Sequence, residues 1–244
     1  MDFPTLKNAP VQEGLIDLRA TFSTVPVERN FQAIAADLTA FYPEAVAIQG
    51  AEMQIQISDA GLSQQALTSY RGILLTSKDK GFVFQAQVDG FTLSRLRPYS
   101  TWDELFAETK RLWNVYEKHT KPTTVSRIAV RYINSFDLPG PIANLRDYFE
   151  APPELPPKLP QGLSNYLVRY QVPDTETGAT VILTQTMEES SNERISFVVD
   201  IDAFKLADFD AARQEWWELL SQLRAVKNQV FFASLTEKTL ERFR

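Results

Sequence analysis

The stretch "RIAVRYINSF", residues 127–136, places two arginines, a tyrosine and an asparagine in what reads as a strand. A guanidinium is a planar fork that matches a carboxylate or phosphate through two hydrogen bonds. Arg131, Arg95 and Arg169, meeting on one concave sheet face near Tyr132 and Asn134, would make an anion-binding site. The alternative is structural. Strand alternation puts Ile128, Val130, Tyr132, Asn134 and Phe136 on one face and Arg127, Ala129, Arg131, Ile133 and Ser135 on the other. The first face should meet helices, with Tyr132 and Asn134 as polar tips that need hydrogen-bond partners. Arg131 on the second face could pair across strands with Asp17 or Asp200.

Other residue sets admit other chemistry. Asp200 and Asp202 in "VVDID" share a strand face, with Glu188, Glu189 and Glu193 near in sequence. Such carboxylates could hold Mg²⁺ for phosphoryl chemistry, although this spacing also arises by chance in an acidic chain. The single histidine, His119, ends a helix beside Lys118, where its charge suits the helix dipole. A Ser-His-Asp triad would have to use it, and no "GxSxG" precedes it. Neither "GxGxxG" nor "GxxxxGK[ST]" occurs, so the usual phosphate loops are missing. "SRLRPY", 94–99, sets two arginines beside a tyrosine. That group could stack on a nucleotide, or simply end a strand with Tyr99 against Trp102. In "EWW", Trp216 and Trp217 would lie about 100° apart on a helix, which puts one near the edge of the apolar stripe, where it either marks a partner surface or, as the favoured reading, packs in the core.

The totals narrow the field. The chain has no cysteine, which removes disulfides, thiolate zinc sites and cysteine nucleophiles. A net charge of -6 opposes binding to phosphate backbones and so argues against nucleic acid as a partner. With 44% apolar and 23% charged residues, the composition is that of a globular protein with a sizeable core. The first residues, "MDFPTLKNAPVQEG", lack a basic stretch followed by an apolar one, and no run of 18 apolar residues occurs. A soluble cytoplasmic protein without signal peptide or membrane span is expected.

The elements that must position these residues follow from periodicity. A strand is expected over 13–22, with Ile16, Leu18, Ala20 and Phe22 on its apolar face. A helix over 27–41 carries Phe31, Ile34 and Leu38 on one stripe, with Phe41 or Tyr42 beside them. Strands at 52–57 and 70–77 precede the hairpin "GFVFQAQVDGFTLSRLRP". Its Asp89-Gly90 predicts a two-residue turn with Val88 opposite Phe91 and Phe84 opposite Arg95. Thr101 and Glu104 form a capping box for a helix to about 119. The quoted strand, a short helix at 143–149 and the proline-rich "APPELPPKLP" follow. Strands come next at 163–172, 179–187 and 194–202. A last long helix starts near Asp208 or Asp210, with Phe209, Ala212, Trp216, Leu220, Leu223, Lys227 and Val230 on its stripe. Lys227 is the only polar member.

This order runs strand–helix–strands–helix twice, over 1–122 and 123–244, and predicts an α+β fold: antiparallel sheet packed on long helices in one compact unit. The order is similar to the saddle of TATA-binding-protein-like folds, an analogy of fold that does not set function. Three segments, "LKNAPVQEGLIDLRATF", "FQAQVDGFTLSRLRPYSTWDELF" and "RIAVRYIN", carry a further likeness. In their order and spacing the chain resembles a sporadically distributed, uncharacterised bacterial protein family with an N-terminal NAPVxE segment and a central RYIN strand. The resemblance implies no activity, cofactor or site residues, and its patchy distribution is the kind seen for accessory or defence-linked genes.

Lacking catalytic and cofactor motifs, the sequence predicts a non-enzymatic binding or protein-interaction module with no cofactor. Its partner would be a protein or a small ligand, and a homo-oligomer is compatible with uncovered sheet edges. The alternative is a metal-dependent phosphoesterase or nucleotide-processing enzyme using Asp200 and Asp202.

Overall fold

Strand β1 (Val11–Thr21) alternates as its sequence predicts, with Ile16 and Leu18 fully buried on one face and Asp17 and Arg19 on the other. The computed structural model describes residues 3–58, 61–188 and 193–244. After β1 come α1 (Glu28–Leu38), β2 (Glu44–Ser58), β3 (Gly61–Thr76), β4 (Phe82–Gln87), β5 (Gly90–Leu96) and α2 (Trp102–Thr120). The chain continues through β6 (Thr124–Pro139), a 3₁₀ turn at Leu145–Asp147, β7 (Tyr166–Asp174), β8 (Ala179–Met187) and β9 (Arg194–Asp210). It ends with α3 (Trp217–Ser234) and α4 (Glu237–Leu240). The nine strands form one antiparallel sheet in the order β2-β3-β4-β5-β1-β6-β9-β8-β7. Because β1 pairs with both β5 and β6, the sheet crosses residue 122 without a break.

The helices pack on the face that carries Ile16, Leu18, Phe84, Phe91, Val130 and Ile201, all fully buried. Removing side chains of this size from water is the main stabilising term, about 1.5–3 kcal/mol each. Phe91 meets Trp113 and Tyr116 of α2 edge to face, at 5.9 Å between ring centroids in each case. Thr101 caps α2 through its hydroxyl, which accepts the Glu104 amide, as the sequence predicts.

Three local expectations are corrected. The β4–β5 turn is Val88-Asp89, one residue earlier than the Asp-Gly rule suggests, with Gln87 opposite Gly90 and Phe84 opposite Leu93. Gly90 is needed in the strand itself, since a Cβ there would lie 2.4 Å from the Leu18 carbonyl oxygen of β1. The helix expected at 143–149 is only the 3₁₀ turn at Leu145–Asp147, so the second half lacks the early helix of the first. The last long helix does not begin at Asp208 or Asp210, because β9 runs on to Asp210. That extension gives Thr124 and Val125 of β6 their ladder partners, Asp210 and Phe209, and backbone groups there need partners. Asp210 instead accepts the Ala212 amide in the turn. Trp216 and Trp217 both pack in the core and stack at 4.2 Å, with Trp216 in a 3₁₀ turn that precedes α3, so neither is left exposed for a partner. Of the expected strands at 52–57 and 70–77, the first lies inside β2 and the second within and just beyond the end of β3.

Candidate functional site

The polar residues of the quoted strand divide between two sites on opposite faces of the sheet. On the face away from the helices, Arg131 gives a two-pronged hydrogen bond to Asp200, Nε to Oδ1 at 2.8 Å and Nη2 to Oδ2 at 2.6 Å. Arg127 bridges Asp17 (2.6 Å) and Asp202 (2.8 Å), and its guanidinium lies 4.6 Å from the Phe204 ring centroid. Asp17, itself buried, also takes Arg19 at 3.0 Å and the Thr92 hydroxyl at 2.8 Å. Asp17, Arg19, Thr92, Arg127, Arg131 and Asp202 line a concavity of about 500 Å³. Its three arginines are each already paired, Arg19 and Arg127 with Asp17, Arg127 also with Asp202, and Arg131 with the neighbouring Asp200. Burial raises the Asp202 carboxyl above its ordinary pKa, opposed by Arg127 and Arg131. Asp202 Oδ1 has no hydrogen-bond partner among the described residues. Among the described residues, no group of three histidines or carboxylates could hold a metal ion.

Arg95 and Arg169 do not join Arg131. Arg95 is on the helix-facing side, buried over the Phe82 ring at 4.9 Å and donating to Ser100 at 3.4 Å. Arg169 is exposed on β7, opposite Thr184. His119 lies beside Asp37, Nε2 to Oδ2 at 2.8 Å, with Lys118 on the same carboxylate.

Tyr132 and Asn134 point to the helix side, where a second and larger cavity of about 820 Å³ opens between the N-terminal segment, the β5–α2 connection, β6 and α3. The Tyr132 hydroxyl meets that of Tyr99 at 2.5 Å, with the two rings edge to face. Gly14 makes room for this pair, since a Cβ there would come within 2.9 Å of the Tyr99 ring and 3.0 Å of the Tyr132 ring. Burial raises both phenols, Tyr132 furthest, so both hydroxyls stay protonated. Asn134 donates to the Val199 carbonyl at 3.0 Å, which answers the requirement for a partner in the core.

The cavity is basic in an acidic protein. Lys7, Arg97, Arg224 and Lys227 line it, against Asp103 as the one acidic side chain in its wall. Among the described residues none of the four cations pairs with a carboxylate. Arg97 donates to the carbonyls of Ser135 (3.2 Å) and Pro10 (3.4 Å), which fixes its position without neutralising it. Arg224 lies 5.4 Å over the Trp102 ring. Lys227, 8% exposed, sets its Nζ 3.7 Å from the Tyr132 ring centroid and makes no hydrogen bond or ion pair among the described residues. Burial, with Arg224 nearby, lowers its pKa from 10.5 to about 7.

Arg97 and Tyr99 of "SRLRPY" and Tyr132 of the quoted strand are candidates from residue type, and the structure brings them together here, whereas Lys7 and Arg224 are members of this site that residue types and spacing did not single out. Lys227 did leave a signal, as the one polar side chain on the apolar stripe of the last helix. No family model matches the chain, and comparison with curated proteins finds no relative.

Proposed function

We propose that the protein is a binding module that takes a small organic anion into the basic cavity on the helix side of the sheet. The observation that carries this reading is the set of cations, Lys7, Arg97 and Arg224, around one concave space, none of them ion-paired with a carboxylate among the described residues. A low-dielectric wall of Tyr99, Trp102, Tyr132 and Phe231 strengthens their pull on an anion. The opposite face supports the same reading by contrast, because its arginines are already matched to aspartates and serve as scaffold. The pairing of Asp200 with Arg131 and of Asp202 with Arg127 also weighs against a Mg²⁺-dependent enzyme there.

The strand order favours reading the chain as two related halves that meet at β1 and β6, as in TATA-binding-protein-like saddles, with β2–β5 flanking one side and β7–β9 the other. Membership of the sporadic bacterial family and a cytoplasmic setting belong to the same proposal. Among the described residues no helix is long and apolar enough to cross a membrane.

Calorimetry with glycolate, oxalate and phosphate, against uncharged ethylene glycol, tests the reading. Saturable heat with at least one anion and none with the diol is expected. No binding by any anion, or equal binding of the diol, overturns it.

A further inference from the structure

Lys227 is out of place for a residue that only grips an anion. A lysine that recognises a carboxylate or phosphate through charge extends its ammonium into a wet or paired setting. Here the side chain is held among apolar neighbours on α3, over a tyrosine ring, with a second cation one helical turn earlier at Arg224. An amine that is desolvated and set beside another cation sheds its proton readily and becomes a nucleophile. The nucleophile lines a cavity large enough for a small metabolite, and it has two neutral phenol groups beside it, Tyr99 and Tyr132, joined at 2.5 Å.

We propose that Lys227 captures carbonyl compounds covalently: its amine condenses with the aldehyde or keto carbon of a small oxo-acid whose carboxylate is held by Arg97 or Arg224. This rests on the anion-binding reading of the same cavity and names the class of ligand.

The chemistry balances without any further reactant. The Nζ lone pair attacks the carbonyl carbon, and the carbon–oxygen π pair moves onto oxygen. One amine proton passes to that oxygen, through a tyrosine hydroxyl that gives one proton and takes one back, leaving a neutral carbinolamine. The hydroxyl then departs as water with the second amine proton, and a C=N bond joins Lys227 to the ligand. Nothing is oxidised or reduced, and added water reverses the sequence.

Arg224 has a double part. Its charge helps lower the proton affinity of the Lys227 amine. Once an oxo-acid arrives, the carboxylate has a guanidinium to rest on three residues from the amine, so carboxylate and carbonyl are recognised from one helix face.

The test uses the full chain at neutral pH with glyoxylate and cyanoborohydride, followed by peptide mapping. Glycolate, which has the carboxylate but no carbonyl, is followed in parallel by calorimetry. The reduced adduct is expected at Lys227 at least about tenfold faster than at any other lysine, since ordinary lysines are protonated at that pH. Glycolate should slow it, and Lys227→Met should abolish it. The pH dependence of labelling in the unaltered protein provides a check that needs no variant: Lys227 should react with a midpoint near 7, well below the other lysines. Glycolate binding with Lys227 left unmodified by glyoxylate overturns the covalent step while leaving the anion site standing. Neither binding nor adduct overturns both. Adducts spread evenly over surface lysines also overturn the covalent step.

Discussion

The side-chain nitrogen of Lys227 sits 3.7 Å from the centroid of the Tyr132 ring, inside the helix-covered side of the sheet. Attraction to the ring face is worth about 0.5–2 kcal/mol. Taking an ammonium out of water costs several kcal/mol, so the ring alone does not offset burial and the group releases its proton. The same strand sends Arg131 to the opposite face, where a carboxylate neutralises it. One strand thus serves an unpaired basic cavity on one side and a closed charge network on the other.

The buried amine makes stability depend on pH. Its pKa is about 7 in the folded chain and 10.5 in the ordinary state, so between those values the unfolded chain holds a proton that the folded chain has released. Stability from this group is therefore full above about pH 10.5 and is lost progressively as pH falls toward about 7. Lys227→Met removes that slope and leaves the protein at least as stable as the parent near neutral pH. Urea unfolding midpoints of both proteins across this range check it. A variant less stable than the parent throughout would show that the ammonium is well solvated.

Asp17 and Arg131 should differ in weight. Asp17 is buried and takes Arg19, Arg127 and Thr92, so Asp17→Ala should cost about 2–4 kcal/mol by leaving Arg127 half-paired. Arg131 has a side chain 42% exposed, and Arg131→Ala should cost no more than about 1 kcal/mol after solvent screening. Denaturant titration of both variants decides the ranking.

Gly14→Ala should push the tyrosine pair apart, because the new methyl would contact both rings at about 3 Å. Overpacking of this kind costs about 1–3 kcal/mol. It should also weaken anion binding, whereas Gly162→Ala, which has open space around it, should leave both stability and binding within about 0.5 kcal/mol.

Mg²⁺ or Mn²⁺ should give no saturable heat, since Asp200 already holds Arg131 and Asp202 holds Arg127. Calorimetry on the unaltered protein is sufficient. Saturable heat that vanishes in Asp200→Asn would revive the metal-dependent alternative.

Alternation made the faces of β1 and β6 legible, and with them the pairing of Arg131 with Asp200. A period of two also decided which residues of β4 and β5 face the helices, although the turn moved by one residue. The end of β9 was hidden because Phe209 and Ala212 fit a helical stripe as well as a strand, and only the partner strand β6 decides between them. The basic cavity was hidden for a related reason. Arg97 comes from a loop and Arg224 with Lys227 from a distant helix, and no spacing rule links that loop to that helix. Lys227 stood out locally as a charge on an otherwise apolar stripe, and Arg97 as one of two arginines beside Tyr99, but nothing in the sequence joined the two.

The most direct measurement is the heat of glycolate or oxalate binding to three proteins: the unaltered chain, Arg224→Ala and Arg131→Ala. The account predicts that Arg224→Ala weakens binding at least about tenfold, the equivalent of about 1.4 kcal/mol, while Arg131→Ala leaves it unchanged. Binding that survives Arg224→Ala and disappears in Arg131→Ala would place the site on the opposite face of the sheet and contradict it.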